Sequence, residues 1–417
     1  MKISLNKTLF SLFYILIFVA VIGRIQYSAT TIALWINIYR ASVYLIILIG
    51  IIYIIYRHRF KYNKTVILLT IMMLYEAFIS IYRYRRINLT LFNEFIIDVL
   101  AWPLIFILTY NFTRDMGVPQ SFKKVSICGV SAILIITAVN ISNMSAIGIN
   151  PAVGGVGYCV AVLPLIYFYF PKRLEKIIAV IMLLIVMLST KRSSFLAVLI
   201  GIFVYYLSDA IIQEMPRKKF NKMFSVMLLV VIIAIVGIYM LGNSDLEIIQ
   251  EFTSDDETLS GRTLLWEGIL TNYNNLSFGE KLFGSGMHAV KYKYNPYGLG
   301  WYAHNSFIET LYDYGIVGLL LLIAFIVVII KKTLEMNSRK SIVAPIMSVT
   351  IPSMLLFASS SYFFEIGQTM LFYSFIWSLC ITIFDQGLLV HKTSVPEKKK
   401  KRMHRNLLVT NGMTGGK

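Results

Sequence analysis

Long apolar stretches, separated by short polar ones, recur along almost the whole chain. Their length of about 17 to 25 residues matches a bilayer core crossed at about 1.5 Å per residue. Twelve spans are expected, near 8–24, 33–56, 65–82, 93–111, 125–141, 154–170, 174–190, 194–212, 223–242, 306–330, 341–360 and 366–385. Only a tight Pro171-Lys172-Arg173 turn separates the sixth from the seventh. The first apolar run lacks a clear small-residue cleavage site and further spans follow it, so it reads as a retained helix. The fold class is therefore all-α, a polytopic transmembrane helical bundle. One connection, 243–305, is far longer than the others. This divides the chain into a bundle over 1–242, a large extracytoplasmic loop over 243–305, a second bundle segment over 306–385 and a tail over 386–417.

Composition agrees with the pattern. Hydrophobic residues make up 57% of the 417 and mean hydropathy is +0.71, more apolar side chain than a soluble protein of this length can bury. Cys128, Cys159 and Cys380 all fall in apolar runs without metal-ligand spacing and read as small hydrophobes. The net charge of +18 is spread over short loops instead of a basic domain, which excludes a nucleic-acid partner and reports topology. Most Lys and Arg then lie on the cytoplasmic side, and the chain is expected to be a multi-pass protein of the cell's inner (cytoplasmic) membrane with both termini cytoplasmic. The tail, with Lys398 to Arg402, is suited to anionic headgroups.

The exceptions to that rule carry information. Arg24, Arg40, Arg83, Arg85, Arg86, Lys191, Arg192, Arg262, Lys281, Lys291 and Lys293 lie outside or within spans. Arginines at an outer boundary suit a lipid diphosphate; equally, Arg83, Arg85 and Arg86 could pair with Glu76, Glu94 and Asp98. Arg40 lies deepest, and an ionisable residue within a span is a functional candidate.

The loop opens acidic and continues as Ser260-Gly261-Arg262-Thr263-Leu264-Leu265-Trp266. Thr258 or Ser260 is expected to cap a short helix there, with Leu264, Leu265, Ile269 and Leu270 on a partly buried face. Leu282-Phe283-Gly284-Ser285-Gly286 follows, then Tyr292, Tyr294, Tyr297, Trp301 and Tyr302. Such rings suit either the apolar faces of sugars or the membrane interface. The loop ends at Ala303-His304-Asn305-Ser306, where Asn305 or Ser306 would cap the next helix. Glu309 and Asp313 stand near that helix's N-terminus, where the macrodipole favours carboxylates. His304, one of five histidines, is either a hydrogen-bonded boundary residue or a base for a sugar hydroxyl.

Three elements in this order resemble the O-antigen polymerase and O-antigen ligase superfamily, which includes the Wzy-type polysaccharide polymerases. They are Gly261-Arg262-Thr263-Leu264-Leu265-Trp266, Phe283-Gly284-Ser285-Gly286, and His304-Asn305 through Asp313-Tyr314-Gly315-Ile316-Val317-Gly318. Thr190-Lys191-Arg192-Ser193-Ser194 resembles a fourth family feature. The resemblance covers about 185–320 by motif and the rest by topology. It implies a membrane glycosyltransferase whose donor is an undecaprenyl-diphosphate-linked oligosaccharide, acting without cofactor or metal, with a flippase and a chain-length regulator as pathway partners. Its products would be O-antigen, capsule or exopolysaccharide. On this resemblance His304 is the candidate base, with Arg192 and Arg262 as stabilisers of the leaving diphosphate. Lys191, Arg83, Arg85, Arg86, Arg40, Trp301, Glu309 and Asp313 are candidates for binding diphosphate or glycan, and Glu309 or Asp313 for orienting or replacing His304. Arg262 could instead pair with the loop's acids. Asn305 after His304 favours a polymerase over a ligase. The other classes left open are a lipid-linked sugar transporter, against which the absence of an internal repeat speaks, and a non-catalytic assembly factor.

Overall fold

The computed structural model describes residues 2–30, 32–57, 60–84, 89–146, 156–189, 192–225, 257–294, 301–360, 363–364 and 367–387. It is a polytopic helical membrane protein, with no strand among the described residues. The first helices are α1 (Lys2–Thr30), α2 (Ala33–Arg57) and α3 (Lys64–Arg83). Next, α4 (Leu89–Glu94) runs through a π-helical segment (Phe95–Ala101) into α5 (Trp102–Met116). Then come α6 (Ser121–Ala146), α7 (Val156–Tyr169), α8 (Lys172–Leu188) and α9 (Arg192–Ile212). The loop contributes α10 (Glu257–Asn275), α11 (Phe278–Phe283) and a π turn (Val290–Tyr294). The last helices are α12 (Ser306–Ser338), α13 (Ala344–Ser360) and α14 (Gly367–Asp385).

Eleven of the twelve expected spans coincide with these helices. The ninth, 223–242, lies mostly outside the described residues, as does the tail from 388. Among the described residues, seven helices are long and apolar enough to cross a membrane by length and composition, and α7, α13 and α14 add shorter apolar ones.

Lipid tails are as apolar as leucine, so packing and satisfied polar groups hold such a bundle together. α14 lies at its centre: Trp377, Tyr373 and Phe375 are fully buried. The Trp377 indole donates to Thr350 Oγ1 (2.8 Å), the Tyr373 hydroxyl pairs with Ser353 (2.7 Å), and the Ser378 hydroxyl donates to the Phe106 carbonyl (2.7 Å). The π segment has a local cause. Pro103 has no N–H to close onto Val99, so the ladder slips there and the turn widens. That turn carries Asp98.

The loop helix differs from expectation. α10 is 19 residues long, so Thr258 and Ser260 lie inside it and do not cap it. Leu265 and Ile269 are buried as expected, but Leu264 and Leu270 are exposed. The reason is the size of the receiving surface. Leu265, Ile269 and Tyr273 of α10 pack with Ala289, Val290, Ala303 and Tyr312 in a small second core, which covers only one stripe of the helix.

α12 breaks at Gly315, whose φ is +68°. The carbonyls around the break are satisfied from outside the helix. Ser285 N–H donates to Tyr312 (3.1 Å), Gly286 N–H to Asp313 (2.8 Å) and the Tyr75 hydroxyl to Tyr314 (2.8 Å). Gly284 has φ +87°, and a Cβ there would meet the Asp313 carbonyl, as one at Gly315 would meet the Leu282 carbonyl. The Phe-Gly-Ser-Gly and Asp-Tyr-Gly elements are thus two halves of one backbone-to-backbone contact. Alanine at either glycine combines a left-handed strain of about 1–3 kcal/mol with a steric clash. Gly284→Ala and Gly315→Ala should each lower the melting temperature of the purified protein in detergent, and together by less than the sum, because they disturb the same contact. Gly279→Ala, which meets nothing, should leave it unchanged.

Candidate functional site

Three elements converge where the loop re-enters the bundle. Asn305 caps α12, its side-chain oxygen accepting from Phe307 N–H (3.0 Å) and Ile308 N–H (3.2 Å). Its amide also donates to the Ser359 carbonyl (3.0 Å) in the last turn of α13. Arg262 donates from Nη1 to the next carbonyl, Ser360 (3.2 Å). The Ser306 hydroxyl accepts from Phe363 N–H (2.8 Å) and Phe364 N–H (3.3 Å) just beyond. Arg262 and the His304-Asn305 junction therefore meet at one helix end, where free carbonyls attract positive charge.

One turn after Arg262 on α10, the Trp266 indole donates to the Ala303 carbonyl (2.6 Å). The spacing i, i+4 puts both residues on one helical face. Arg262 grips the bundle while Trp266 grips the backbone just before His304. His304 itself is half-buried with φ +51°, a conformation fixed by neighbours on both sides. On the other side of Ala303, its N–H donates to the Glu309 carboxylate (2.5 Å).

Arg192 opens α9. The ion pair of Glu214 with Lys340 and the contact of Ser208 with Ser348 (3.5 Å) join the end of α9 to the start of α13. The two helices pack along each other antiparallel, so the first turn of α9 stands level with the last turn of α13. Arg192, Arg262 and His304 thus come to one end of the bundle by backbone position; the Arg192 side chain and the whole of Lys191, Arg85 and Arg86 lie outside the described residues. Trp301 is exposed and precedes the junction by three residues. Arg40 is half-buried about two turns inside α2 and makes no hydrogen bond or ion pair among the described residues. Arg83 is set against Gly286, on the Phe-Gly-Ser-Gly element.

Glu309 and Asp313 are fully buried, and backbone N–H groups engage both. Asp313 accepts from His288 (2.5 Å), Ala289 (2.8 Å) and Val290 (3.4 Å), capping the π turn. It faces His288 and not His304. Glu94 and Asp98 are likewise engaged away from Arg83. Glu94 pairs with Lys291 (3.3 Å) and the Tyr292 hydroxyl (2.8 Å), and Asp98 with His288 Nε2 (3.3 Å). Glu76, Asp98, His288 and Thr310 line a small cavity with room for about one water. Sequence reasoning missed the structural part played by His288. Its only signal was its place as the second histidine outside, directly after Phe-Gly-Ser-Gly-Met. Among the described residues, no group of three or more histidine, cysteine, aspartate or glutamate side chains is placed to hold a metal.

Residues 177–323 match the family model described as O-antigen ligase. The matched segment includes Arg192, Arg262, Trp266, His304, Glu309 and Asp313, whereas Arg83, Glu76 and Asp98 come from the bundle before it. Members of the O-antigen ligase family are glycan-transferring enzymes. No curated protein sequence matches the chain significantly.

Burial alone would push the His288 imidazole down; the Asp98 hydrogen bond and charge, with Asp313 and Glu94 nearby, outweigh it and raise the pKa above 6.5. A raised folded-state pKa contributes stability that is complete below 6.5 and lost as pH rises through the higher value. Amide hydrogen exchange over 278–294 should therefore quicken as pH is raised from 6 to 8, after correction for intrinsic rates. In Asp98→Asn that dependence should largely vanish. An equal pH dependence in both proteins would remove His288–Asp98 as its source.

Proposed function

We propose that this protein is a membrane glycosyltransferase that polymerises undecaprenyl-diphosphate-linked oligosaccharide repeat units at the outer face of the cytoplasmic membrane. The observation that carries this reading is the meeting of Arg262 and the His304 junction, both inside the O-antigen ligase match, at the end of α13. The loop, 243–305, acts as a lid over the bundle, held to it by α10 and by the Phe-Gly-Ser-Gly contact.

The chemistry follows from the groups present. An acceptor sugar hydroxyl loses its proton to the His304 imidazole as its oxygen attacks the donor's anomeric carbon. The new glycosidic C–O bond forms as the C–O bond to the diphosphate breaks. The diphosphate departs with the bonding pair and gathers negative charge. Arg262 uses one N–H on Ser360, and its remaining donors have no protein partner among the described residues. With Arg192 it stabilises the departing anion, an effect that grows where water is excluded. Diphosphate is a good leaving group and needs no acid. Glu309 and Trp266 act through position, holding Ala303 from two sides so that His304 is fixed in its strained conformation.

Purified protein in liposomes, given lipid-linked repeat unit, should build a ladder of products. His304→Ala should slow ladder formation by about 10²-fold or more, and Arg262→Ala by about 10²- to 10³-fold, both at normal protein levels. Arg262→Lys should keep part of the activity. Transfer to a different acceptor alone would replace polymerase by ligase, and substrate crossing the bilayer without transfer would make the protein a transporter.

Trp266→Phe offers a separate test of positioning. It removes the hydrogen bond to Ala303 while keeping an aromatic ring against the second core. The maximal rate should fall about tenfold or more, with little change in melting temperature. A normal rate would show that the indole bond does not position His304.

A further inference from the structure

Polymerisation brings two lipid-linked molecules to one protein, and each carries phosphate at the membrane boundary. Arg262 and Arg192 account for the donor. A second pair of cations stands elsewhere, around the Phe-Gly-Ser-Gly element. Arg83 ends α3 with its side chain against the Gly286 backbone. Its Nε is buried without a hydrogen-bond partner among the described residues, and its guanidinium lies 5.7 Å from the Tyr82 ring centroid.

Lys293 approaches the same backbone from the π turn. Its ammonium donates to the Ser285 carbonyl and lies 4.8 Å over the Tyr84 ring. Ser285, only 2% exposed, has a buried hydroxyl with no partner among the described residues. The carboxylates facing this group are Glu280, held by the Ser277 side chain, and Asp313, engaged by three backbone N–H groups. Burial and the Arg83 charge together push the Lys293 pKa down, as expected of two like charges forced close. A bound anion would relieve that repulsion and give the idle donors a partner.

We propose that Arg83, Lys293 and the Ser285 hydroxyl form a second anion site, which holds the phosphate of the acceptor lipid while the Arg262 site holds the donor. The proposal rests on the polymerase reading and extends it. Arg83 reaches the site from the bundle and Lys293 from the loop, so an acceptor bound there also ties the loop to α3.

The test counts lipids by native mass spectrometry of the full-length protein titrated with undecaprenyl diphosphate. The wild type should bind two. Arg83→Met/Lys293→Met should bind one, the second weakened by about tenfold or more, and Arg83→Lys/Lys293→Arg should restore two. A parallel titration with phosphatidylglycerol separates the sources. If the Met variant loses phosphatidylglycerol but keeps two undecaprenyl diphosphates, the site is a general headgroup contact and the proposal is overturned. A single lipid diphosphate on wild type and Met variant alike also overturns it. Arg262→Met tests the underlying reading separately: two lipids retained there would refute the donor assignment alone.

Discussion

A carboxylate buried among backbone donors organises this end of the molecule. Asp313 sits two residues before the break in α12, and its two oxygens accept from three consecutive N–H groups at the start of the π turn. A carboxyl group in such a place is stable only while those donors stay in position. The same segment of α12 releases backbone carbonyls that receive Ser285, Gly286 and Tyr75. The loop is therefore docked by main-chain hydrogen bonds on both sides of one residue. Any movement of 284–290 leaves a buried carboxyl group and several carbonyls without partners.

Everything proposed for catalysis rides on that docking. It sets the second core, on which α10 lays Leu265 and Ile269. With that face fixed, Arg262 and Trp266 reach the end of α13 and the residue before His304, respectively. The reacting groups need no strong contact with one another. They are held by a frame of caps, namely Asn305 on α12, Glu309 on Ala303 and Arg262 on α13. A frame of this kind is rigid at the junction, and it leaves the outward donors of Arg262 available to a ligand.

The bundle was legible because a bilayer demands long apolar runs, and α1 to α9 and α12 to α14 lie where such runs were read. The loop motifs were legible as words but not as contacts. Gly-Arg-x-x-x-Trp carries its i, i+4 spacing openly, yet nothing in it says that the indole binds Ala303. Phe-Gly-Ser-Gly and Asp-Tyr-Gly each signal special backbone, but their mutual fit depends on chain segments about thirty residues apart meeting in space. Asp313 invited a catalytic role because carboxylates near a histidine usually do. The histidine it serves is His288, which the chain's order places on the wrong side of the junction. The length of α10 was missed because its polar face reads as loop, while only a narrow stripe is buried.

The central claim is that one helix end, that of α13, gathers the reacting groups. The most direct measurement is a cryo-electron microscopy structure of the His304→Ala protein in nanodiscs with lipid-linked repeat unit bound. The donor diphosphate is predicted beside Arg262, within hydrogen-bond reach of its free N–H groups, with the first sugar at the 304 position. Density for the diphosphate on a path through the bundle, away from Arg262, would contradict the account.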